Sequence, residues 1–554
     1  MSAHERYGDW TRSQLLRRIA QLEASASTAN VPTPELEQAP SDADPEKKPK
    51  TKAPRPFDVS LQPQRKIALR FCYDGSRYSG LAAQTQQVTP LPTVEETIWE
   101  AMGTARLVDP AKGMEGAGWS RCGRTDAGVS AAGQVIALWV RSRCVDERAL
   151  RAYHEQSDHG IEDAPEPIRL AAGDELPYVA TLNRLLPPSI RVQAWSPVSP
   201  TFSSRFDCVY RHYKYFFTLG APASLIWQKE SASNFPQRLD VDRMRAAAAR
   251  LIGEHDFRNL CKVDASKQIT NFVRRIDGAT IDQVPSGWAT MHDPLDIAPI
   301  SPTAEPMYVL NLRGSAFLYH QVRNIMAVLF MVGARLEEPS VIDELVNVYQ
   351  GAAAADRIRT LANLDALLGE DTPDKHALRA LPPPSEGLAV YETKPSYEMA
   401  ADRPLMLWEC GFRPEHVQWR ACASDDLAGV QPEAIDFTPT LRATAQLHAQ
   451  WTREAIHTEL LRHFTISSAS SSLSTIPTQT SFNDARMPRL PAAHGSEHPP
   501  LRAQLVPLGN GAVRPTTKYT PMVQRPRDVS ADVKNEKWRE GKGRRRAERR
   551  AAAP

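Results

Sequence analysis

Residues 120–135 read SRCGRTDAGVSAAGQV, two arginines, a cysteine and an aspartate set among glycines and running into the apolar stretch GQVIALWVRS. The stretch supports two readings. As structure, Gly123 and Gly128 permit a left-handed backbone and Asp126 caps a loop that enters a strand. As chemistry, small neighbours let the Asp126 carboxylate approach a ligand closely, while Arg121 and Arg124 hold phosphates or pair with it. On spacing alone the turn is the stronger reading.

On the N-terminal side, Ile67, Leu69, Phe71 and Tyr73 alternate in KIALRFCYDGSRYSG, the pattern of a strand face that ends at a glycine turn. TVEETIWEAM carries acidic residues in its first turn, where the helix dipole favours them. On the C-terminal side, FDCVYRHYKYFFTL and MYVLNLRG predict strands, and RMRAAAARLIG and HQVRNIMAVLFMVG predict helices. In GEHDF, His255 and Asp256 are expected to end a helix and pack Phe257 rather than to transfer protons. This alternation predicts a layered α+β core over 65–415, in halves 65–200 and 201–415, with a polar insertion over about 152–176.

Outside the core, residues 1–24 place Leu15, Leu16, Ile19 and Leu22 at helical spacing behind a capping box of Thr11 and Gln14. Residues 25–64 are too rich in proline and charge to offset their ordering entropy and predict a disordered linker. Residues 416–465 predict a helical extension, and 466–554 a largely disordered basic tail. Within it, KNEKWREGKGRRRAERR over 534–550 sets nine basic residues against three acidic ones. Such a run suits phosphate contacts, nuclear import or plain solvation.

Whole-chain charge is uninformative, +2 from 67 Lys and Arg against 65 Asp and Glu. Seven cysteines without a C-x-x-C pair argue against a disulfide framework and the common zinc spacings, and for a reducing, intracellular compartment. The polar start MSAHERYGDWTRSQ lacks the apolar segment of a secretory signal. The run IMAVLFMVGA is about half the ~20 residues that cross a bilayer, and so predicts a buried helix and no membrane partner. The histidines of HEQSDH are five residues apart instead of four, and neither a phosphate-loop nor a G-x-G-x-x-G pattern occurs. No metal and no cofactor are expected.

Five ordered motifs tip the balance for the opening stretch. GRTDAGV resembles the signature of the TruA family of tRNA pseudouridine synthases, whose catalytic aspartate then falls on Asp126. The family's Y-D-G-x-x-Y-x-G is matched by residues 73–80, its L-N-x-x-L-P by LNRLLPPSIRV from Leu182, and its R-x-Y-x-Y by RHYKY, which places an active-site tyrosine on Tyr213. FLYHQVRN is similar to a third active-site segment and places an apolar wall on Leu318 and a partner arginine for the carboxylate on Arg323. GEHDFRNLCKVD, KQITNFVRR, Ser130 and YGDWTRSQLLRRIAQLE resemble the eukaryotic branch that modifies tRNA positions 38 and 39. Ala127 departs from the lysine common in that branch.

The resemblance implies a pseudouridine synthase fold of two duplicated ferredoxin-like halves around a central antiparallel sheet. It also implies a homodimer that binds the tRNA anticodon stem-loop, working in the nucleus, the cytoplasm or both. The reaction breaks the bond from N1 to C1′ of a uridine, turns the base and rejoins it through C5, with no atom gained or lost. Asp126 is the implied nucleophile, held ionised by Arg323. Tyr213 would stack on the extruded uracil and help move its C5 proton, and Arg124 would fill the vacated place in the RNA. Arg205, Arg211 and Lys214, with Arg121, would meet the RNA backbone. Two rivals are a C5-modifying enzyme with Cys122 as nucleophile and an idle tRNA-binding protein.

Overall fold

The computed structural model describes residues 58–84, 89–156, 165–170, 174–219, 239–284, 307–364, 373–384, 387–423, 438–471, 504–511, 513–516 and 518–551. The helix expected over 1–24 and nearly all of the expected linker lie outside them. Alternation over 67–73 becomes β1 (Gln64–Tyr73), and TVEETIWEAM becomes α1 (Val94–Thr104). A reciprocal capping box starts α1: Thr93 accepts from the Glu96 amide and Glu96 accepts from the Thr93 amide. There follow β2 (Ser120–Arg121), β3 (Ser130–Arg141), α2 (Tyr178–Leu185), β4 (Ile190–Pro197) and β5 (Cys208–Thr218). The second half adds α3 (Val241–Ala249), β6 (Gly253–Asp256), β7 (Val273–Gln283), β8 (Met307–Gly314), α4 (Gln321–Gly333) and β9 (Leu405–Phe412).

The strands form one nine-stranded sheet in the order β4-β1-β3-β9-β5-β8-β7-β6, with β2 paired to β3. Pairing within each half is antiparallel, Ile67 facing Leu138 and Tyr213 facing Leu312. The expected all-antiparallel sheet is corrected at the seam. There β9 runs antiparallel to β5, Leu407 facing Tyr213, and parallel to β3, Met406 facing Ser130. A long connection from α4 returns β9 into the gap between the halves, the kind of crossover a parallel pair needs. The sheet is therefore mixed. GEHDF also departs from expectation: its first four residues are β6, not a helix end, while Phe257 is fully buried as expected.

Every residue of α4 except Arg323 is buried. Part of its cover comes from the C-terminal tail. Gly509, at φ +96°, lies so close to Tyr215 and Phe330 that a Cβ would stand 2.3 Å from the Tyr215 hydroxyl. Glu337 accepts from the Tyr519 hydroxyl (2.5 Å) and the Met522 amide (2.7 Å), and Met522 is fully buried. Burying that side chain stabilises the tail on the core by roughly 1.5–3 kcal/mol. Further on, the Asp528 amide donates to the Lys394 carbonyl at 2.7 Å. The disorder expected over 466–554 thus gives way, over 518–538, to a strap laid on the core. Its anchors are single residues scattered among prolines and charges, which no periodicity marks. The expected insertion is likewise tied down at its end: buried Glu175 accepts from Arg65 (3.1 Å), Ser142 (2.5 Å) and the Arg143 amide (2.7 Å).

Candidate active site

The loop 123–129 joins β2 to β3, and its shape is set by what it rests on. The Val129 amide donates to the Asp126 carbonyl at 3.1 Å, closing a turn whose third residue, Gly128, has φ +83°. A Cβ there would also meet the Asp402 carboxylate at 2.8 Å. Underneath, Gly75 packs so tightly that a Cβ would come within 2.0 Å of the Val129 carbonyl oxygen, and its amide donates to Ser130 Oγ at 3.0 Å. Gly80 abuts the backbone of 125–127, and Leu81 donates to the Thr125 carbonyl at 3.2 Å. The Tyr73 hydroxyl meets Thr125 Oγ1 at 2.6 Å. The Y-D-G-x-x-Y-x-G motif is therefore the bed of the Asp126 loop, and its glycines are needed for close approach of two backbones.

On this bed Asp126 presents a side chain 31% exposed, and His320 Nε2 stands 3.2 Å from its Oδ2. His320 is 7% exposed, sits at the cap of α4 with φ +58°, and its Nδ1 is buried with no partner among the described residues. A non-glycine residue at positive φ is strained, and here the strain directs an imidazole at a carboxylate. The Tyr319 ring lies against His320, centroids 3.8 Å apart.

Arg323, expected as the carboxylate's partner, takes another place. Its Nε donates to the Ala400 carbonyl at 2.8 Å, the Ala400 amide donates back at 3.2 Å, and no ion pair joins Arg323 to Asp126 among the described residues. Burial raises the Tyr319 phenol; the Asp126 charge adds to that rise and the Arg323 charge opposes it. His320 is the contact that sequence reasoning missed; FLYHQVRN contains it, but only the turn into α4 aims it.

Tyr213 lies on β5 at 8% exposure, its ring edge-on to Phe317 with centroids 4.9 Å apart. A Cβ on Gly123 would stand 3.9 Å from its hydroxyl, so ring and loop are neighbours. Burial pushes its phenol above the ordinary tyrosine range and keeps it neutral. Leu318 is buried on the segment that carries Phe317 and His320.

The arginines divide sharply. Arg121 clamps Glu95, which is fully buried and also accepts from Trp119 Nε1 (2.8 Å) and the Ala83 amide (3.0 Å). Arg211 donates to the carbonyls of Ser315 (2.6 Å), Cys122 (2.9 Å) and Arg205 (2.9 Å). Both, expected at the RNA, hold the loop instead. Lys214 is one residue from Tyr213 on a strand and so faces the opposite side of the sheet, its Nζ 3.8 Å over the Trp408 ring. Arg124 and Arg205 are exposed. Cys122 is 2% exposed, with its thiol among those of Cys208 and Cys410 and pushed up to about 12 by burial, so it is a poor thiolate nucleophile. Among the described residues no cluster of three or more His, Cys, Asp or Glu is placed to hold a metal ion.

Comparison with known proteins gives the family. Residues 247–365 match the family described as tRNA pseudouridine synthase. The tRNA pseudouridine(38/39) synthase of Saccharomyces cerevisiae is 38% identical over 79% of this chain and 77% of its own length. The chain belongs to the tRNA pseudouridine synthase family. The human tRNA pseudouridine(38/39) synthase is 32% identical over 82% of this chain and 75% of its length. A more distant bacterial member, tRNA pseudouridine synthase A of Bordetella parapertussis, is 32% identical over 51% of this chain. The synthase is thus an isomerase by family, and its exposed carboxylate sits in the loop that all these contacts shape.

One consequence concerns His320. Asn tolerates positive φ but cannot span the distance to Asp126. We expect His320→Asn to lower the single-turnover rate by about 10²-fold, the scale of a misplaced reacting group, with tRNA affinity unchanged within a few-fold. A wild-type rate in stopped-quench assays would remove His320 from the site.

Proposed function

We propose that this chain isomerises uridine to pseudouridine at positions 38 and 39 of tRNA, reading the anticodon stem-loop. The observation that carries the proposal is the Asp126 carboxylate, 31% exposed and 3.2 Å from His320, on a loop whose Gly123 lies beside the Tyr213 hydroxyl. Asp126 attacks C1′ of a flipped uridine as nucleophile and the N1–C1′ bond breaks; the base turns, and C5 then bonds to C1′ as the Asp126 O–C1′ bond breaks and frees the carboxylate. The C5 proton then leaves to solvent while N1 gains one, so the products balance the reactants. Tyr213, kept neutral by burial, offers a ring to stack on and an O–H to donate; Arg323 adds positive potential near the carboxylate, and Leu318 an apolar wall. Arg124 and Arg205 are free to meet the RNA.

The same reading supplies the finer architecture. β1, β3 and β4 with α1 and α2 form one ferredoxin-like half, β5 to β8 with α3 and α4 the other, and two copies of the chain build the tRNA cleft. Antiparallel pairing inside each half supports it. Nuclear and cytoplasmic tRNA pools both fit.

The test is tritium release. With tRNA labelled at uracil C5 and no methyl donor, the purified protein is expected to release label, and to lose that release when positions 38 and 39 are cytidine. A folded protein that binds tRNA and releases nothing would be an idle binder, and the proposal would fall.

A further inference from the structure

The most basic stretch of the chain is neither a free tail nor part of the site above. The strap that covers α4 ends in helical geometry of its own, first a helix over Ala531–Trp538, then a π-helical turn over Arg539–Gly543, then a helix over Arg544–Ala551. Ser530 caps the first helix by accepting from the Val533 amide at 3.4 Å. Its inner face is pinned at one residue. Asn535 is 4% exposed; its Nδ2 donates to the Ile269 carbonyl and its own carbonyl accepts from Gln268 Nε2, each at 3.2 Å. Trp538 closes over the turn, where a Cβ on Gly543 would stand 2.5 Å from its ring.

What the helix is pinned to leads directly to the active site. The Lys262 amide, a few residues before Gln268, donates to the Tyr319 carbonyl at 2.9 Å, and Tyr319 precedes the His320 that faces Asp126. A short line of bonded neighbours therefore fixes the basic helix relative to the carboxylate. Its outer surface carries Lys537, Arg539, Lys542, Arg544, Arg545 and Arg546, all exposed. At 1.5 Å per residue, the segment 531–551 reaches roughly 30 Å along the surface, far enough to follow several successive phosphates.

We infer that the helical segment 531–551 is a tRNA-binding arm, its arginines and lysines neutralising backbone phosphates of an RNA whose target uridine lies at Asp126. The inference rests on the proposed function above. A signal read by an import receptor works from an extended, unanchored tail, whereas a buried asparagine that sets the register of a cationic helix on Gln268 and Ile269, in a segment that also bonds Tyr319 beside His320, serves a partner engaged at both places at once. Charge alone would not separate these partners; the anchoring does.

The experiment measures tRNA affinity against salt concentration for the full-length wild type and for the variant carrying Arg544→Gln, Arg545→Gln and Arg546→Gln. Glutamine keeps helix propensity, and the three side chains are exposed, so the fold, followed by circular dichroism, should persist. The expected result is a salt slope shallower by about 2 to 3 and an affinity about 10-fold weaker near 0.15 M salt. An unchanged slope and affinity, with wild-type tritium release intact, would overturn the arm and leave the synthase standing. Unchanged tRNA binding together with lost nuclear accumulation would also overturn it, in favour of an import receptor. A wild type that neither binds tRNA nor releases tritium would overturn both.

Discussion

Asp126→Asn is expected to abolish pseudouridine formation, by on the order of 10⁴-fold or more, while tRNA affinity stays within a few-fold of wild type. The substitution keeps the shape and removes the carboxylate proposed as nucleophile. The loop that carries it should not move, because its position comes from Gly75, Gly80 and Tyr73 beneath and from the Gly128 turn, none of which uses the Asp126 side chain. Single-turnover tritium release with saturating protein reads the chemical step, and filter binding reads affinity. The companion Cys122→Ser should retain turnover, since a thiol 2% exposed and held protonated has no route to a uracil. Loss of turnover in Cys122→Ser with retention in Asp126→Asn would reverse the assignment.

The second large effect is on stability. Glu95 is fully buried at the first turn of α1, and both its oxygens accept only from donors: Arg121, Trp119 Nε1 and the Ala83 amide. Glu95→Gln replaces one of those acceptors with an NH₂ group facing donors and leaves the Arg121 guanidinium without its counter-charge. Breaking such a pair from one side costs about 3 kcal/mol or more, because the remaining charge stays desolvated. A urea titration should show the midpoint falling with the slope unchanged. Since Arg121 ends β2, two residues before Gly123, the Asp126 loop should loosen as well, and tritium release should fall more steeply with temperature than in the wild type. A midpoint equal to wild type would mean that Arg121 finds solvent and the clamp contributes nothing.

The part played by Arg121 shows where sequence reasoning stops. Its type and spacing beside Asp126 suit phosphate binding, and nothing local distinguishes that use from a buried clamp; the distinction lies in Glu95, 26 residues away on another element. Arg211 is similar, since three backbone carbonyls consume its donors only once β5, the Asp126 loop and Ser315 meet. Lys214 could have been set aside from the sequence, because a strand sends neighbours of Tyr213 to the other face.

The sequence by itself was enough for the strands and helices with clean periodicity, for the buried character of α4, and for the family through its ordered motifs, because each of these depends on residues close together in the chain. Asp126, Tyr213 and the segment 317–323 stood out as candidates for the same reason. Only the tertiary structure decided the parallel seam at β9, whose LMLWECGF has no regular alternation, and the strap over 518–538, whose anchors Met522 and Asn535 are lone residues in a polar text. It also gave Asp126 to His320 and Arg323 to Ala400, a choice made by the left-handed turn at His320 and by the return of residue 400 beneath α4. Such choices depend on which distant groups meet, and a contact between residues hundreds of positions apart leaves no periodic mark on either one.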